Sequence, residues 1–553
     1  MPAQPIDPLE GPKTALCGRV VTMDASRRIL PDGVVYLEKG AIVAVTDRAD
    51  PAPDGFADVK VIDTWGTIYP GLIELHNHLS YNALPMWSVP KRYKNRNQWA
   101  GIPDYRKSIS GPMQVLGKTP GLLPAVVRYV ECKCLLGGVT TSQGIELFSN
   151  AGSRRYYRGI VRNVEETDQI DLPEAATKIA DVDATDIDSF YRRLLRQSCF
   201  LLHLSEGRDS VAREHFLALR KSDNTWAITD ALAGIHCAGL RSEDFWVLGE
   251  HKGAMIWSPL SNLLLYGETA EVSAAKSAGI TIGIGSDWAP SGSKNLLGEL
   301  KVARTVSQHL NGLFSDREIV EMATVNAASI LKWEKVIGSL KEGMRADMLV
   351  MAGTSGDPYE ALLNASEKDI QLVLINGTAR YGTPSLMREC GAAGESVRVG
   401  GTARQVFLEQ KTGDPVVGKI SLGGARATLQ DALSRLPDLA KELEKPTAPS
   451  ASPLGLTTRR EAVAWFLALD EIEETGVELR PRLPFLRHAH TGPDRVPPGM
   501  RTFLAARAKP LSQTLQPIKL DPLTVADDAN FVSTLLGQKN LPGFIVDGLK
   551  LAY

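Results

Sequence analysis

Five residues far apart in the chain share one local setting. His76 and His78 follow the apolar run GLIEL, His203 closes CFLLH, His236 closes ALAGIH and Asp287 closes ITIGIGSD. Imidazole nitrogens and carboxylate oxygens are the donors that a borderline cation such as zinc accepts. Side chains alternate along a strand, so residues i and i+2 face the same way and His76 and His78 can point together while Asn77 cannot. A single histidine at a strand end is ordinarily structural, and one HxH pair is a weak signal. Four separate runs that all end in ligand-type residues, in a chain with only nine histidines, point to a metal site. His215, His251 and His309 fall in helical or pre-strand segments and read as structural. His488 and His490 repeat the HxH spacing in a proline-rich stretch and read as surface residues.

Such residues meet only if the elements carrying them end at one face. From about residue 67 to 337, short apolar runs alternate with helical stretches, the pattern of βα units around a parallel sheet. The fold class is α/β, and the length suits a (β/α)8 TIM barrel, in which the C-terminal strand ends gather at the catalytic face. Seven strands are readable. The other belongs between Glu165 and Gln197, where Lys178 lies in a helical-looking stretch. Residues 14–66 and 338–425 carry β-like runs divided by Gly, Asp and Pro, and are expected to form one composite β-sandwich domain. A C-terminal extension, 426–553, opens with an amphipathic helix near Ala427–Glu444, followed by the linker-like EKPTAPSASP. The sequence shows no role for this extension.

The composition excludes several classes. The 553 residues are 43% hydrophobic and 23% charged, with net charge −2, which suits neither a nucleic-acid binder nor a membrane-surface protein. No apolar run approaches the roughly 20 residues of a membrane span. The first residues lack a basic segment followed by an apolar one, so no secretory signal is expected. Six scattered cysteines without a CxxC read as buried thiols in a reducing compartment, the cytoplasm. No P-loop, G-x-S-x-G or dinucleotide fingerprint stands in a fitting context, and the H-x-E with P-C-x-x-C signature of cytidine deaminases is absent.

PGLIELHNH, HLSE, IHC, SPLSNL, GSDW and GSLKEGMRADMLV together resemble the amidohydrolase superfamily over residues 14–385, and HLSE resembles its cytosine and guanine deaminase and triazine hydrolase branch. The resemblance implies that His76, His78, His203 and Asp287 hold one Zn²⁺ per subunit, with Fe²⁺ or Mn²⁺ as alternatives. It implies that Asp287 also takes a proton from the attacking water, and that Glu206 shuttles protons to a ring nitrogen or leaving group. His236 is either a fifth ligand or a hydrogen-bond donor to the developing oxygen. A second metal would call for a bridging lysine on the fourth strand, and none is recognisable.

Residues 82–112 would overhang the catalytic face. They hold Trp87, Tyr93, Trp99 and Tyr105 beside Lys91, Arg92, Lys94, Arg96, Arg106 and Lys107, with one acid, Asp104. Trp87 is the candidate pocket wall, Arg92 a candidate anchor for an anionic group, and Asn262 either shapes the loop after strand seven or touches substrate. WAPSGSKN, Trp288–Asn295, offers hydroxyls that cap a helix or bind an anion. The expected substrate is a small molecule, aromatic or anionic, and a homo-oligomer is expected. The leading reading is metal-dependent deamination of a nitrogen heterocycle. The alternatives are an amidase acting on a cyclic or N-acyl amide and a non-catalytic scaffold, the last disfavoured by the intact ligand set.

Overall fold

The structure is a computed structural model that describes residues 9–167, 169–178, 186–410, 413–445, 464–469 and 509–553. The N-terminal segment forms β1 (Thr14–Val21), β2 (Ile29–Glu38), β3 (Ala41–Asp47) and β4 (Val61–Pro70). The chain then enters β5 (Leu72–Glu74), β6 (Val139–Ser142), the antiparallel pair β7 (Glu146–Ser149) and β8 (Arg154–Tyr156), and β9 (Arg162–Asn163). There follow β10 (Ala175–Lys178), β11 (Cys199–Leu204), β12 (Leu232–His236), β13 (Ala254–Trp257) and β14 (Ile282–Ile284). The chain returns through β15 (Met348–Ala352), β16 (Ile370–Ile375), β17 (Thr378–Gly382), β18 (Glu395–Val399) and β19 (Thr402–Val406), and β20 (Trp465–Leu467) pairs with β7.

Two parallel sheets, β5-β6-β9 and β10-β11-β12-β13-β14, hold the site. Both of their outer edges meet. Ala175 N–H donates to Val164 O at 2.8 Å, and Leu75 N–H donates to Ile284 O at 3.2 Å. Every residue of β11, β12 and β13 is buried, as expected of parallel strands covered on both faces. One face packs Ile73, Leu75, Leu201, Ile235 and Ile256 together. Helices follow the strands, among them Ser210–Leu217 after β11, Ser242–Glu250 after β12, Pro259–Tyr266 after β13 and Leu296–His309 after β14. Proline stands in the first turn of Pro259–Tyr266, where its missing N–H costs nothing, and Gly267 ends that helix at φ 74°. Asn295 caps Leu296–His309 by accepting from Gly298 N–H at 3.0 Å.

Lys178 ends a strand rather than lying in a helix, and β10 falls inside the Glu165–Gln197 interval. The N-terminal strands and the returning strands share one nine-stranded sheet, in the order β18-β19-β17-β16-β15-β4-β1-β2-β3. The single helix expected near Ala427–Glu444 is two, Leu422–Ser434 and Leu436–Leu443, because Pro437 cannot continue the first and opens the second. His488, His490 and most of EKPTAPSASP lie outside the described residues.

Residues 509–553 pack against the elements around the site. The helix Gly543–Ala552 lies along Leu296–His309, with Ile545 and Leu549 wholly buried and the rings of Phe544 and His309 stacked at 3.7 Å. Asp521 sits between two buried ammonium groups. It accepts from Lys133 Nζ at 2.5 Å and from Lys294 Nζ at 2.8 and 2.9 Å. Further on, Gln538 Nε2 donates to Trp87 O at 3.2 Å, and its Oε1 accepts from Val89 N–H at 3.3 Å. Among the described residues, no helix is long and apolar enough to cross a membrane.

Candidate metal and active site

The strand ends bring the five ligand-type residues together. Donor atoms of His76, His203 and His236 lie within 4.8 Å of one another, as do those of His76, His78 and Asp287. His203 Nε2 and His78 Nε2 are 3.3 Å apart. The backbone there is unusual. His236 and Asp287 have φ values of 67° and 66°, and Ser205 and Cys237 have 52° and 49°. Left-handed conformation costs a non-glycine residue about 1–2 kcal/mol, and such outliers cluster where function over-determines the chain.

The proton on His76 can be placed. Asn77 N–H donates to Gln143 Oε1 at 3.0 Å, which fixes that atom as the amide oxygen. His76 Nδ1 lies 2.9 Å from the same oxygen and must therefore donate to it. In the neutral ring this leaves Nε2 as a lone pair. It is buried without a hydrogen-bond partner, and it faces Asp287 Oδ1 at 3.1 Å. The same oxygen faces His78 Nε2 at 3.4 Å. Two acceptors held this close in a buried site repel each other unless a cation stands between them. The donor set therefore fits Zn²⁺, whose catalytic sites combine imidazole and carboxylate with an open position.

The electrostatics agree. Burial, aided by His76, His78, His236 and Arg96, holds His203 well below the usual imidazole range, so its lone pair is available. Burial likewise brings His236 down to about 4, against the opposing pull of Glu206 and Asp287. Burial raises Asp287, but the imidazoles of His76, His236 and His78 outweigh it and leave the carboxyl below its ordinary range, ionised.

Glu206 follows β11 and is buried. Its Oε2 lies 3.9 Å from His236 Nε2, and its Oε1 accepts from the Tyr266 hydroxyl at 2.7 Å. The segment after β5 is stitched over this loop. Arg96 N–H donates to Glu206 O at 3.2 Å, Arg208 N–H to Lys94 O at 2.7 Å, and Asn95 bridges Gly207. Gly207 has φ 140°, and a Cβ there would stand 2.5 Å from Lys94 O, so only glycine permits this approach.

Asn262 is wholly buried, and its Nδ2 lies 3.2 Å from His236 Nδ1. Its orientation is set from behind. Trp257 Nε1–H donates to Thr269 Oγ1 at 2.8 Å, leaving the Thr269 proton for Asn262 Oδ1 at 3.4 Å. The amide therefore presents N–H to His236 Nδ1, and the imidazole proton sits on Nε2.

The substrate candidates are placed unevenly. Trp87 is buried against Tyr93 and Tyr105, with Nε1 donating to Asp104 at 2.6 Å. Tyr105 contacts Trp288, which in turn lies 5.6 Å from the His78 ring, so Trp87 stands two rings back. Arg92 donates to Asn540 O at 3.2 Å in the C-terminal segment. Asn262 reaches His236. The aromatic groups beside the histidines are Trp288 and Tyr81, both against the His78 ring, with Trp99 behind Trp288 at 6.2 Å. In the WAPSGSKN stretch, Asn295 caps the helix. Ser291 Oγ accepts from Trp288 Nε1 at 2.7 Å, and the Ser293 hydroxyl donates to Glu299. Sequence reasoning passed over Gln143 and Tyr266. A glutamine just after β6 and a lone tyrosine after SPLSNLLL were the available signals.

The amidohydrolase family model matches residues 211–380. The chain is 32% identical over 416 residues to the 5-methylthioadenosine/S-adenosylhomocysteine deaminase of Moorella thermoacetica, covering 65% of this chain and 93% of that one. The protein of the same name from Thermoanaerobacter pseudethanolicus is 31% identical, but over only 153 residues, 26% of this chain and 36% of its own length. Among solved structures, a zinc-bound adenosine deaminase from Xanthomonas campestris shares the fold, with a TM-score of 0.52 at 15% identity over 78% of this chain and 99% of that one. The motif residues, the converging donors and the near full-length relative agree: this chain belongs to the amidohydrolase family.

Proposed function

We propose that the protein is a zinc-dependent hydrolase that deaminates a nitrogen heterocycle, with His76, His78, His203 and Asp287 as the metal ligands. The observation that carries this reading is the convergence of His76 Nε2 and His78 Nε2 on the Asp287 carboxylate, at 3.1 and 3.4 Å. A cation bound there would lower the pKa of its water from 15.7 to about 7. Asp287 would take one proton from the attacking water as its oxygen bonds the sp² carbon bearing the amino group, and would pass it to the departing amine as the C–N bond breaks. Glu206 gives its proton to the ring nitrogen next to that carbon and recovers one from the new C–OH as the C–N bond breaks and the C=O forms. His236, with its proton on Nε2, would donate to the water-derived oxygen as it bonds that carbon and is not a fifth ligand. Water enters, ammonia leaves, and the ring gains a carbonyl. Trp288 beside His78 offers a face for a flat ring.

The same reading takes the eight parallel strands, joined at both outer edges, as a (β/α)8 barrel within 67–337. It takes the nine-stranded sheet as the composite domain of 14–66 and 338–425. The protein works on a small molecule, in the cytoplasm and as a homo-oligomer.

The test is ammonia release by the zinc-loaded protein from a panel of aminopurines, aminopyrimidines and amino-triazines, set against N-acyl amino acids and cyclic amides. Release from the amino-heterocycles supports deamination. Turnover of the amides alone overturns it.

A further inference from the structure

We infer that Tyr266, oriented by Trp99, is a positioning residue that fixes which oxygen of Glu206 carries the proton; the inference rests on the role proposed for Glu206. Trp99 Nε1 lies 3.0 Å from the Tyr266 hydroxyl oxygen, which lies 2.7 Å from Glu206 Oε1. An indole N–H can only donate. It therefore takes a lone pair of the tyrosine oxygen and directs the phenolic proton to Glu206. Oε1 is then always an acceptor. Any proton that Glu206 holds sits on Oε2, the oxygen on the side of His236, 3.9 Å from its Nε2. Without this polarity the carboxyl could rotate and carry its proton on the side away from the reacting carbon.

The three residues come from three places. Glu206 follows β11, Tyr266 closes the helix after β13, and Trp99 stands in the segment between β5 and β6. That segment also reaches the glutamate through Arg96 N–H to Glu206 O at 3.2 Å and through the Asn95–Gly207 bridge. Seating of this segment and alignment of the proton donor are thus one event. Tyr266 is itself buried, and burial holds its hydroxyl well above the ordinary phenol range, with Glu206 adding to the effect. It remains a neutral donor.

The test compares wild type, Tyr266→Phe, Trp99→Phe, Glu206→Gln and the double variant Glu206→Gln/Tyr266→Phe, each zinc-loaded, on the panel compound that wild type deaminates fastest. Y266F is expected to lower kcat by about 10- to 100-fold, as for other orienting hydrogen bonds around a reactive group, with KM, zinc content and Tm close to wild type. W99F should lower kcat by less. The double variant should be slower than E206Q by no more than about twofold, because Tyr266 acts only through that carboxylate. A second readout is independent of turnover. The ¹³Cζ resonance of Tyr266, assigned by its loss in Y266F, should move in both E206Q and W99F. The inference is overturned if kcat of Y266F stays within about twofold of wild type, if the two single losses multiply in the double variant, if zinc loss accounts for the lower rate, or if the resonance ignores both substitutions. Wild type inactive on every panel compound would count against the deamination reading, and the resonance would still decide the relay.

Discussion

Two buried aspartates lie on opposite sides of what the sequence reveals, and their difference separates a functional site from a structural one. Asp521, in the C-terminal segment, accepts from Lys133 and Lys294, and Lys294 also reaches Asp528 at 2.8 Å. Its charge is answered by ammonium groups of the chain itself. Asp287 faces His76 and His78 at 3.1 and 3.4 Å, and Gln143 takes up Nδ1 of His76 and leaves Nε2 toward the carboxylate. A buried carboxylate that faces imidazole nitrogens, with no ammonium or guanidinium group against it, is the setting of a cation site. Burial is common to both aspartates; the kind of neighbour tells them apart, ammonium groups at Asp521 and imidazole nitrogens at Asp287.

The largest expected effect follows from removing the open-handed member of the pair. Asp287→Ala should lower deamination by roughly 10²- to 10⁴-fold, the range of a general base, and reduce bound zinc, both measured on purified protein. Asp521→Ala should do the reverse. It leaves the buried Lys133 ammonium without its carboxylate and Lys294 with Asp528 alone, and should cost about 3–5 kcal/mol of stability, read by denaturant unfolding, while zinc content holds. Equal zinc loss in both variants would erase the distinction. A smaller effect is expected at Gln538, which ties the backbone of Trp87 and Val89 to the C-terminal segment. Gln538→Ala should destabilise by about 1–3 kcal/mol and raise KM more than it lowers kcat, since the tied segment lies over the site.

The smallest effect is a pH slope. Glu299 is wholly buried, and burial lifts its carboxyl to about 8 against hydrogen bonds from Ser293 and Leu260 N–H that favour the charge. The folded chain thus keeps a proton that the unfolded chain loses above the ordinary carboxyl range. This contribution is full below the ordinary glutamate pKa, declines as pH rises toward about 8, and is flat beyond. Glu299→Gln should flatten the stability profile across that window in urea titrations at several pH values; an unchanged slope would show that Glu299 does not carry it.

The same contrast explains what could be read from sequence. His76, His78, His203, His236 and Asp287 are legible because each closes a local apolar run, and strand periodicity alone aims the first two together. β10 is AATK, four residues without the β-branched or aromatic signature of a strand apart from one threonine, and β9 has only two residues. The partners of Asp521 stand 388 and 227 residues away, so no local pattern marks it, and the role of the C-terminal segment was invisible. Tyr266 lies in an apolar helix where an aromatic reads as core, and only the position of its hydroxyl shows otherwise. Trp87 drew attention for its ring, yet Trp288 stands nearer the histidines, because the segment after β5 folds its first tryptophan inward toward Tyr93 and Tyr105.

The most direct measurement is zinc content against activity across chelation and reloading, in wild type and His203→Ala. The account predicts about one zinc ion per active chain, activity lost on chelation and restored by zinc in wild type, and neither tight binding nor restoration in His203→Ala. Full deamination by a zinc-free protein, or by the His203 variant, would contradict it.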